Sequence, residues 1–299
     1  MSARRGGLRE ALRGGRWVGD GAMGTQLFAF GMKPGESSAA WTLTHPEDVM
    51  SVHRAYVDAG ADLVTTNTFS ASVAALDLHG LADRCEEINR IGAQVAREAA
   101  GERAWVLGDI GPFGGFLEPV GDKDPTEFRR EAERQVSGLF EGGVDAFLVE
   151  TMADAAEVEI VVAACRAVAP TLPVLVTYTL VKGPDGAYRT IMGLDASSLV
   201  GQTLRLGVDA IGANCGSRLG LADYAALADE FCEAVPGTAV LLQPNAGAPV
   251  EVDGQVLYPA SPEEFGQTAL RCWEKGARIF GGCCGTSSSH IAAVRAVLG

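Results

Sequence analysis

Short runs of β-branched and apolar residues alternate along this chain with longer, alanine-rich segments of helical periodicity. The alternation predicts repeated strand–helix units. Segments 45–60, 126–143 and 261–276 each begin with a capping residue and acidic residues and end on glycine, as capped helices do. Eight strands are predicted, at 16–19, 61–66, 104–108, 145–149, 173–178, 210–213, 239–242 and 277–280.

Eight strand–helix units are the number found in a closed (β/α)8 barrel. No linker, low-complexity tract or longer internal repeat interrupts them, so the prediction is an α/β protein with a single TIM-barrel domain over 1–299. An open, doubly wound sheet is the alternative, because eight strands alone do not prove closure.

Composition narrows the class of protein. The chain is 47% hydrophobic and 21% charged, which allows a large core. A formal charge of −14 argues against a nucleic-acid partner, since phosphate binding needs clusters of Lys and Arg. No apolar run approaches the roughly 20 residues that span a bilayer, and the N-terminal segment lacks the apolar centre of a secretory signal. We therefore expect no membrane partner and a cytoplasmic location.

Cysteine usage points the same way. Seven cysteines are an odd number scattered over a large chain, which fits free or metal-bound thiols better than a disulfide framework. We expect four of them to be small core residues: Cys85, Cys165, Cys232 and Cys272.

The barrel interpretation predicts that functional residues gather where the strands end, at the C-terminal rim. Segments that contain Asp, Asn, Glu or Cys, most of them with glycines, follow seven of the eight predicted strands. In chain order they are "GDGAMGTQL", "TNTFSAS", "DIGPFGGF", "ETMAD", "NCGS", "QPNAGAP" and "GGCCGT".

Two of these segments supply thiols. Cys283 and Cys284 are adjacent between paired glycines, and Cys215 follows another strand that ends at the same rim. Three thiolates with one open position describe a zinc site that acts on a ligand. We expect no histidine in it, since all four lie in predicted helices or caps and fit surface or capping positions: His45, His53, His79 and His290.

The ligand type indicates a class of reaction. Three thiolates overcompensate the charge of Zn²⁺, so the site activates water poorly but suits a sulfur substrate. A thiol loses its proton on binding there and remains a strong nucleophile at neutral pH. The predicted chemistry is attack by a zinc-bound substrate thiolate on an electrophilic carbon.

At this point a family resemblance is visible. The elements "DGAMGTQL", "AGADLVTTNTF", "LVET", "GANC", "QPNAG" and "GGCCGT", in this order from Gly19 to Thr286, resemble the homocysteine S-methyltransferase family. The wording is most similar to the homocysteine-binding module of cobalamin-dependent methionine synthase. The resemblance implies a zinc (β/α)8 barrel that transfers a methyl group to homocysteine and forms methionine.

The resemblance also implies roles for individual residues. Cys215, Cys283 and Cys284 match the catalytic zinc ligands, and Asn245 matches an asparagine that can fill the open metal position when substrate is absent. Five further positions match groups that bind the substrate or order the loops around it. Asp20 with the Gly21–Ala22 backbone, and Glu150, match groups that hold the amino acid end of homocysteine. Asn67 matches a residue that orders loops or touches the substrate.

The methyl donor stays open between S-methylmethionine, a betaine-like onium compound and a methylcorrinoid protein, because the resemblance covers no folate, cobalamin or activation module. An onium donor favours an aromatic cage. Segment 250–258, with its Asp-Gly turn, predicts a hairpin that could act as a lid or docking edge. The aromatic candidates in predicted rim loops are Trp41, Phe69, Phe113, Phe116 and Tyr178.

Two other functions remain as alternatives. One is a non-catalytic homocysteine- or zinc-binding subunit of a multi-protein methionine synthase. The other is a barrel lyase or aldolase with Asp20 and Glu150 as acid and base. Such an enzyme usually needs a Schiff-base lysine or an oxygen-ligated metal, and no lysine stands at a predicted strand end.

Overall fold

The computed structural model describes residues 7–216, 218–252 and 254–299. The strands of these residues are β1 Trp17–Val18, β2 Leu63–Thr65, β3 Trp105–Ile110, β4 Ala146–Met152, β5 Val174–Tyr178, β6 Val181–Lys182, β7 Tyr188–Arg189, β8 Ala210–Cys215, β9 Ala239–Pro244, β10 Val250–Val252, β11 Gln255–Leu257 and β12 Ile279–Phe280. The α-helices are α1 Leu8–Ala11, α2 Gly24–Ala29, α3 Ser38–Thr44, α4 Pro46–Asp58, α5 Val73–Asp77, α6 Cys85–Ala100, α7 Pro125–Glu141, α8 Ala155–Val168, α9 Ala196–Thr203, α10 Leu221–Ala234, α11 Pro262–Glu274 and α12 Ser288–Leu298. Short 3₁₀ helices lie at Ala82–Arg84 and Leu204–Leu206.

Eight strands form one parallel sheet in the order β1-β12-β9-β8-β5-β4-β3-β2. The two ends of this order also meet, because Gly19 bridges Leu63 and the Asp62 amide donates to the Val18 carbonyl at 2.7 Å. The sheet therefore closes into a barrel. All eight predicted strands and the single-domain TIM-barrel prediction are confirmed, and the open-sheet alternative is wrong.

Two antiparallel hairpins stand outside the barrel, β6 with β7 and β10 with β11. The second of them confirms the hairpin predicted over 250–258. The side chains of Val250–Val252, Val256 and Leu257 are exposed, so this part of the hairpin stands away from the core. Its role as a lid or docking edge stays a prediction.

Apolar side chains fill the lower half of the barrel interior. Because side chains alternate along a strand, one set points into the barrel and the other toward the surrounding helices. Helix α1 covers the bottom, where Leu8 and Leu12 pack against the interior set. That set includes Leu63, Trp105, Leu107, Leu148, Leu175, Leu241 and Ile279.

The same alternation carries polar residues into the upper half of the barrel. Continuing along the strands in steps of two from the inward leucines and Ala210, the next inward positions include hydrophilic side chains. These are Thr65, Asp109, Glu150, Thr177, Asn214 and Gln243, all but Thr65 buried. The barrel thus ends in a polar floor beneath the rim where the loops meet.

The helices begin where the sequence predicts. Asp124 caps α7 by accepting from the Thr126 and Glu127 amides at 2.8 Å, and Ser261 forms a capping box with Glu264 at the start of α11. Within the described ranges, no helix combines the length and apolar character needed to cross a membrane.

Candidate active site

The structure brings the three predicted thiols together at the C-terminal rim. Cys215 is the last residue of β8, and Cys283 and Cys284 lie in the turn after β12. The three Sγ atoms lie within 4.8 Å of one another, and those of Cys283 and Cys284 are 3.9 Å apart. The glycine-flanked turn therefore aims both adjacent thiols toward the end of β8.

Backbone contacts hold the thiols in place. The Cys283 amide donates to the Pro244 carbonyl at 2.8 Å, and the Tyr224 hydroxyl donates to the Cys215 carbonyl at 2.9 Å. The Asn245 Oδ1 accepts from the Cys284 amide at 3.0 Å. Asn245 thus orients the Cys284 turn in this structure, and its predicted place at an open metal position stays a prediction.

Backbone strain is concentrated beside the thiols. Among the described residues, the non-glycine positions with positive φ are Thr151 at 60° and Cys215 at 59°. Asn214 joins their strands: its side chain accepts from the Thr151 amide at 3.0 Å and donates to the Thr151 hydroxyl at 2.6 Å. A β-branched residue in this conformation is costly, and such strain is typical of functional sites.

The charges of the three thiols are coupled. Hydrogen bonds from Cys215 and Cys283 lower the pKa of Cys284. The hydrogen bonds of Cys283 to Cys215 and Cys284, together with burial, raise the pKa of Cys283 well above the usual thiol value. One thiolate forms readily, but ionisation of all three requires a cation. Three sulfur donors fit a soft divalent metal with tetrahedral preference, such as zinc.

A cavity of about 370 Å³ extends from the thiols across the barrel mouth. Its size falls in the roughly 300–1,000 Å³ range of small-molecule sites. Asp20, Asp109 and Glu150 line it, and none of the described residues in its wall is Lys, Arg or His. The cavity is therefore acidic, with a thiol cluster at one end.

The two predicted carboxylates lie in this cavity, and each accepts hydrogen bonds from a residue of another strand. Asp20 accepts from the Thr65 amide at 2.7 Å and from its hydroxyl at 3.0 Å, and burial raises the pKa of Asp20 to about 7. Glu150 accepts from the Asn214 side chain at 3.2 Å. Burial first, and then the charge of Asp20, raise the pKa of Glu150 to about 8. A cation bound between the two groups would lower both pKa values and favour the ionised carboxylates.

A third carboxyl group, Asp109, was not predicted. The segment "DIGPFGGF" was read as a loop after a strand ending at 108, whereas β3 continues to Ile110. Asp109 therefore occupies an inward strand position, and its Oδ1 has no hydrogen-bond partner among the described residues. Burial, the charge of Glu150 and a hydrogen bond with it raise the pKa of Asp109 well above its usual value.

The loop after β1 differs from expectation in one respect. The Ala22 amide, expected to receive a substrate carboxylate, already donates to the Thr286 hydroxyl at 2.9 Å, and the Tyr56 hydroxyl donates to the Ala22 carbonyl at 2.6 Å. Ala22 therefore anchors the loop beneath Asp20, and contact of the substrate with the Gly21 backbone stays a prediction. Gly24 and Thr25, at the start of α2, also line the cavity.

Asn67 is buried and lines the cavity. Its amide nitrogen donates to the Ser38 carbonyl at 2.6 Å and to the Thr42 hydroxyl at 3.1 Å, so it ties α3 to the end of β2. This is the loop-ordering role that the sequence suggested. Direct contact with a substrate stays a prediction.

The structure separates the five aromatic candidates for an onium cage. Tyr178 lies inside β5 and Trp41 inside α3, and both are buried; Phe113 packs against Phe128 with ring centroids 4.5 Å apart. Of the five candidates only Phe69 lines the cavity. The unpredicted Phe28, 49% exposed, lines it as well.

His53 also differs from expectation. The sequence placed it at the surface of a helix, but it is fully buried in α4, and neither ring nitrogen has a partner among the described residues. Burial lowers the pKa of His53 to about 4. It lies outside the cavity lining and is a core residue.

Comparison with known proteins identifies the family. The sequence profile of the homocysteine S-methyltransferase family matches residues 17–298. The chain belongs to this family. The family resemblance expected from the sequence is thereby confirmed.

Relatives and solved structures agree with this assignment. Methionine synthases of Mycobacterium leprae and Mycobacterium tuberculosis are 31% identical over 97% and 94% of this chain. The chain spans only 25% and 24% of their lengths. The homocysteine methyltransferase MmuM from Escherichia coli superposes in its metallated form with a TM-score of 0.79 at 24% identity, covering 97% of this chain and 99% of that one. This last likeness supports the fold.

Proposed function

We propose that residues 1–299 form one homocysteine-binding domain and that the chain is a zinc-dependent methyltransferase, which transfers a methyl group to the sulfur of homocysteine and forms methionine. One observation carries the proposal. Three thiols converge at the end of an acidic cavity whose described wall has no basic side chain. This arrangement suits a substrate with a sulfur at one end and an ammonium at the other.

The metal belongs at Cys215, Cys283 and Cys284. No other described His, Cys, Asp or Glu joins their group, which leaves a coordination position for a ligand. Zinc bound there supplies a Lewis acid that favours the thiolate form of a substrate thiol. The Escherichia coli homocysteine methyltransferase MmuM has a metallated form, which is consistent with a metal in this family.

The amino acid end of homocysteine is assigned to the carboxylates. Asp20, fixed by Thr65, and Glu150, fixed by Asn214, are oriented before substrate arrives. An ammonium between them restores charge balance to two buried acids, and charged hydrogen bonds are the strong ones. Since the Ala22 amide is occupied, the substrate carboxylate is expected to meet the first amides of α2, at Gly24 and Thr25.

The cavity favours a cationic methyl donor. Its wall combines carboxyl groups with Phe28 and Phe69, a setting that attracts an onium ion through charge and cation–π interaction. In the transfer, the homocysteine sulfur attacks the methyl carbon, and the bond between that carbon and the donor heteroatom breaks. The electron pair leaves with the heteroatom, so the donor becomes neutral.

A methylcorrinoid protein is the second candidate donor. The relatives at 31% identity are named methionine synthases, and they are about four times as long as this chain. A cytoplasmic partner protein carrying the methyl group is therefore kept as an alternative, and so is a non-catalytic binding subunit.

A donor panel tests the proposal. Zinc-loaded protein is incubated with homocysteine and S-methylmethionine, betaine, S-adenosylmethionine or methylcobalamin, and methionine is measured by mass spectrometry. Methionine from an onium donor is the expected result. Methionine from methylcobalamin alone favours the corrinoid donor. Homocysteine binding without methionine from any donor favours the binding subunit, and absence of homocysteine binding overturns the proposal.

A further inference from the structure

We propose that Asp109 is a third substrate-contacting residue, whose carboxyl group reads the ammonium of an amino thiol together with Asp20 and Glu150. The inference rests on the proposed function, because it takes the cavity to bind an amino thiol. It concerns a residue for which the family resemblance implied no role.

Strand alternation fixes the direction of the Asp109 side chain. Leu107 packs inside the barrel, and Gly108 faces outward, where an added Cβ would lie 3.2 Å from side-chain atoms of both Leu139 and Val144. Asp109 must then point inward again. It lines the cavity and is 3% exposed.

The backbone of Asp109 is held from both sides by hydroxyl groups. Its amide donates to the Thr66 hydroxyl at 2.9 Å, and its carbonyl accepts from the Thr68 hydroxyl at 2.7 Å. The two hydroxyls are themselves 2.6 Å apart. This network fixes the backbone position from which the carboxyl group projects, and it uses neither carboxyl oxygen.

The Asp109 Oδ1 is buried, and among the described residues no N–H or hydroxyl group donates to it; the hydrogen bond of this carboxyl group is with the acid Glu150. An unpaired buried acceptor is destabilising, so most such atoms in proteins are paired. Glu157 shows the ordinary solution in the same fold: it is also buried, outside the cavity lining, and its Oε1 accepts from the Phe113 amide at 2.9 Å. The Asp109 carboxyl group thus lies in the cavity wall against a second acid, Glu150, a contact that a cationic ligand would make favourable.

Charge and donor count indicate which ligand group it takes. An alkylammonium has three N–H donors. Three carboxyl groups, at Asp20, Asp109 and Glu150, line a cavity whose described wall offers no basic side chain. An ammonium supplies the positive charge that favours the ionised forms of these acids, and it supplies N–H donors to the Asp109 carboxyl group.

The test compares two ligands that differ in the ammonium alone. Homocysteine and 4-mercaptobutyrate share the thiol and the carboxylate, but the second lacks the amino group. Their dissociation constants are measured by calorimetry on zinc-loaded wild type, Asp109→Asn, Asp109→Ser and the control Glu157→Gln, with zinc content checked for each. We expect the Asp109 variants to bind homocysteine roughly 10- to 100-fold more weakly, the range for a lost charged hydrogen bond.

The same variants should bind 4-mercaptobutyrate as the wild type does, and Glu157→Gln should leave both constants unchanged. Equal weakening of both ligands, or no weakening of either, overturns the inference. Wild-type protein that binds neither thiol overturns the proposed function instead. A structure of the wild type with homocysteine decides independently of folding of the variants: the ammonium within hydrogen-bond reach of Asp109 supports the inference, and an ammonium out of reach overturns it.

Discussion

Two glycines near Asp20 test the anchor of its loop, which consists of the hydrogen bonds of Ala22 with Thr286 and Tyr56. A Cβ on Gly21 would lie 2.7 Å from the Thr286 Oγ1 and 2.8 Å from the Tyr56 Cε1. Neither neighbour can move easily, since Thr286 is fully buried and Tyr56 is 1% exposed. A Cβ on Gly24, three residues later, would meet nothing within 4 Å.

Gly21→Ala should therefore destabilise the protein by about 2 kcal/mol, from overpacking of about 1–3 kcal/mol and strain on the Ala22–Thr286 hydrogen bond. It should also weaken homocysteine binding, because the loop carries Asp20. Gly24→Ala should leave stability unchanged or raise it slightly, since alanine favours a helix; it is a control for stability only, because Gly24 lines the cavity. Urea unfolding measures stability and calorimetry measures homocysteine binding. Equal unfolding free energies of the two variants would refute the idea that the loop is anchored through Thr286 and Tyr56.

Three further changes test other parts of the account. His53 is neutral in the fold with a pKa of about 4 against an ordinary 6.5, so it contributes stability above pH 6.5 that is lost as pH falls. The loss reaches about 3 kcal/mol near pH 4, and urea unfolding of His53→Leu should lack this decline relative to wild type. Glu150→Ala should retain zinc by elemental analysis but bind homocysteine about 1.5–3 kcal/mol more weakly, with mercaptoethanol binding unchanged in calorimetry. Cys284→Ser should lose both zinc and methyl transfer, whereas Cys165→Ser, a buried thiol in α8, should keep both and lose about 1 kcal/mol of stability in urea.

The barrel was predictable because its determinants are local. Each strand is a short β-branched run, each long helix has its own caps, and the rim chemistry follows the strands directly. The three thiols could be placed together because parallel strands of a barrel end at one rim. Their close approach within 4.8 Å follows from that topology.

The features that the sequence does not predict depend on contacts between distant parts of the chain. Asp109 was overlooked because its inward direction depends on β3 continuing through residue 110. The Ala22 amide is used by Thr286, a residue 264 positions away. His53 was placed on the surface because helical periodicity alone does not show which neighbours cover α4. Tyr178 is the last residue of the predicted strand 173–178, and the sequence does not show that its hydroxyl is used by Thr203 of α9, at 2.6 Å.

X-ray absorption at the zinc edge tests the central claim most directly. Zinc-loaded protein should show three sulfur neighbours at about 2.3 Å, from Cys215, Cys283 and Cys284. Addition of homocysteine should raise the sulfur count to four, because the substrate thiol takes the open position. A sulfur count that homocysteine leaves unchanged, or a purified protein that binds no zinc, would contradict the account.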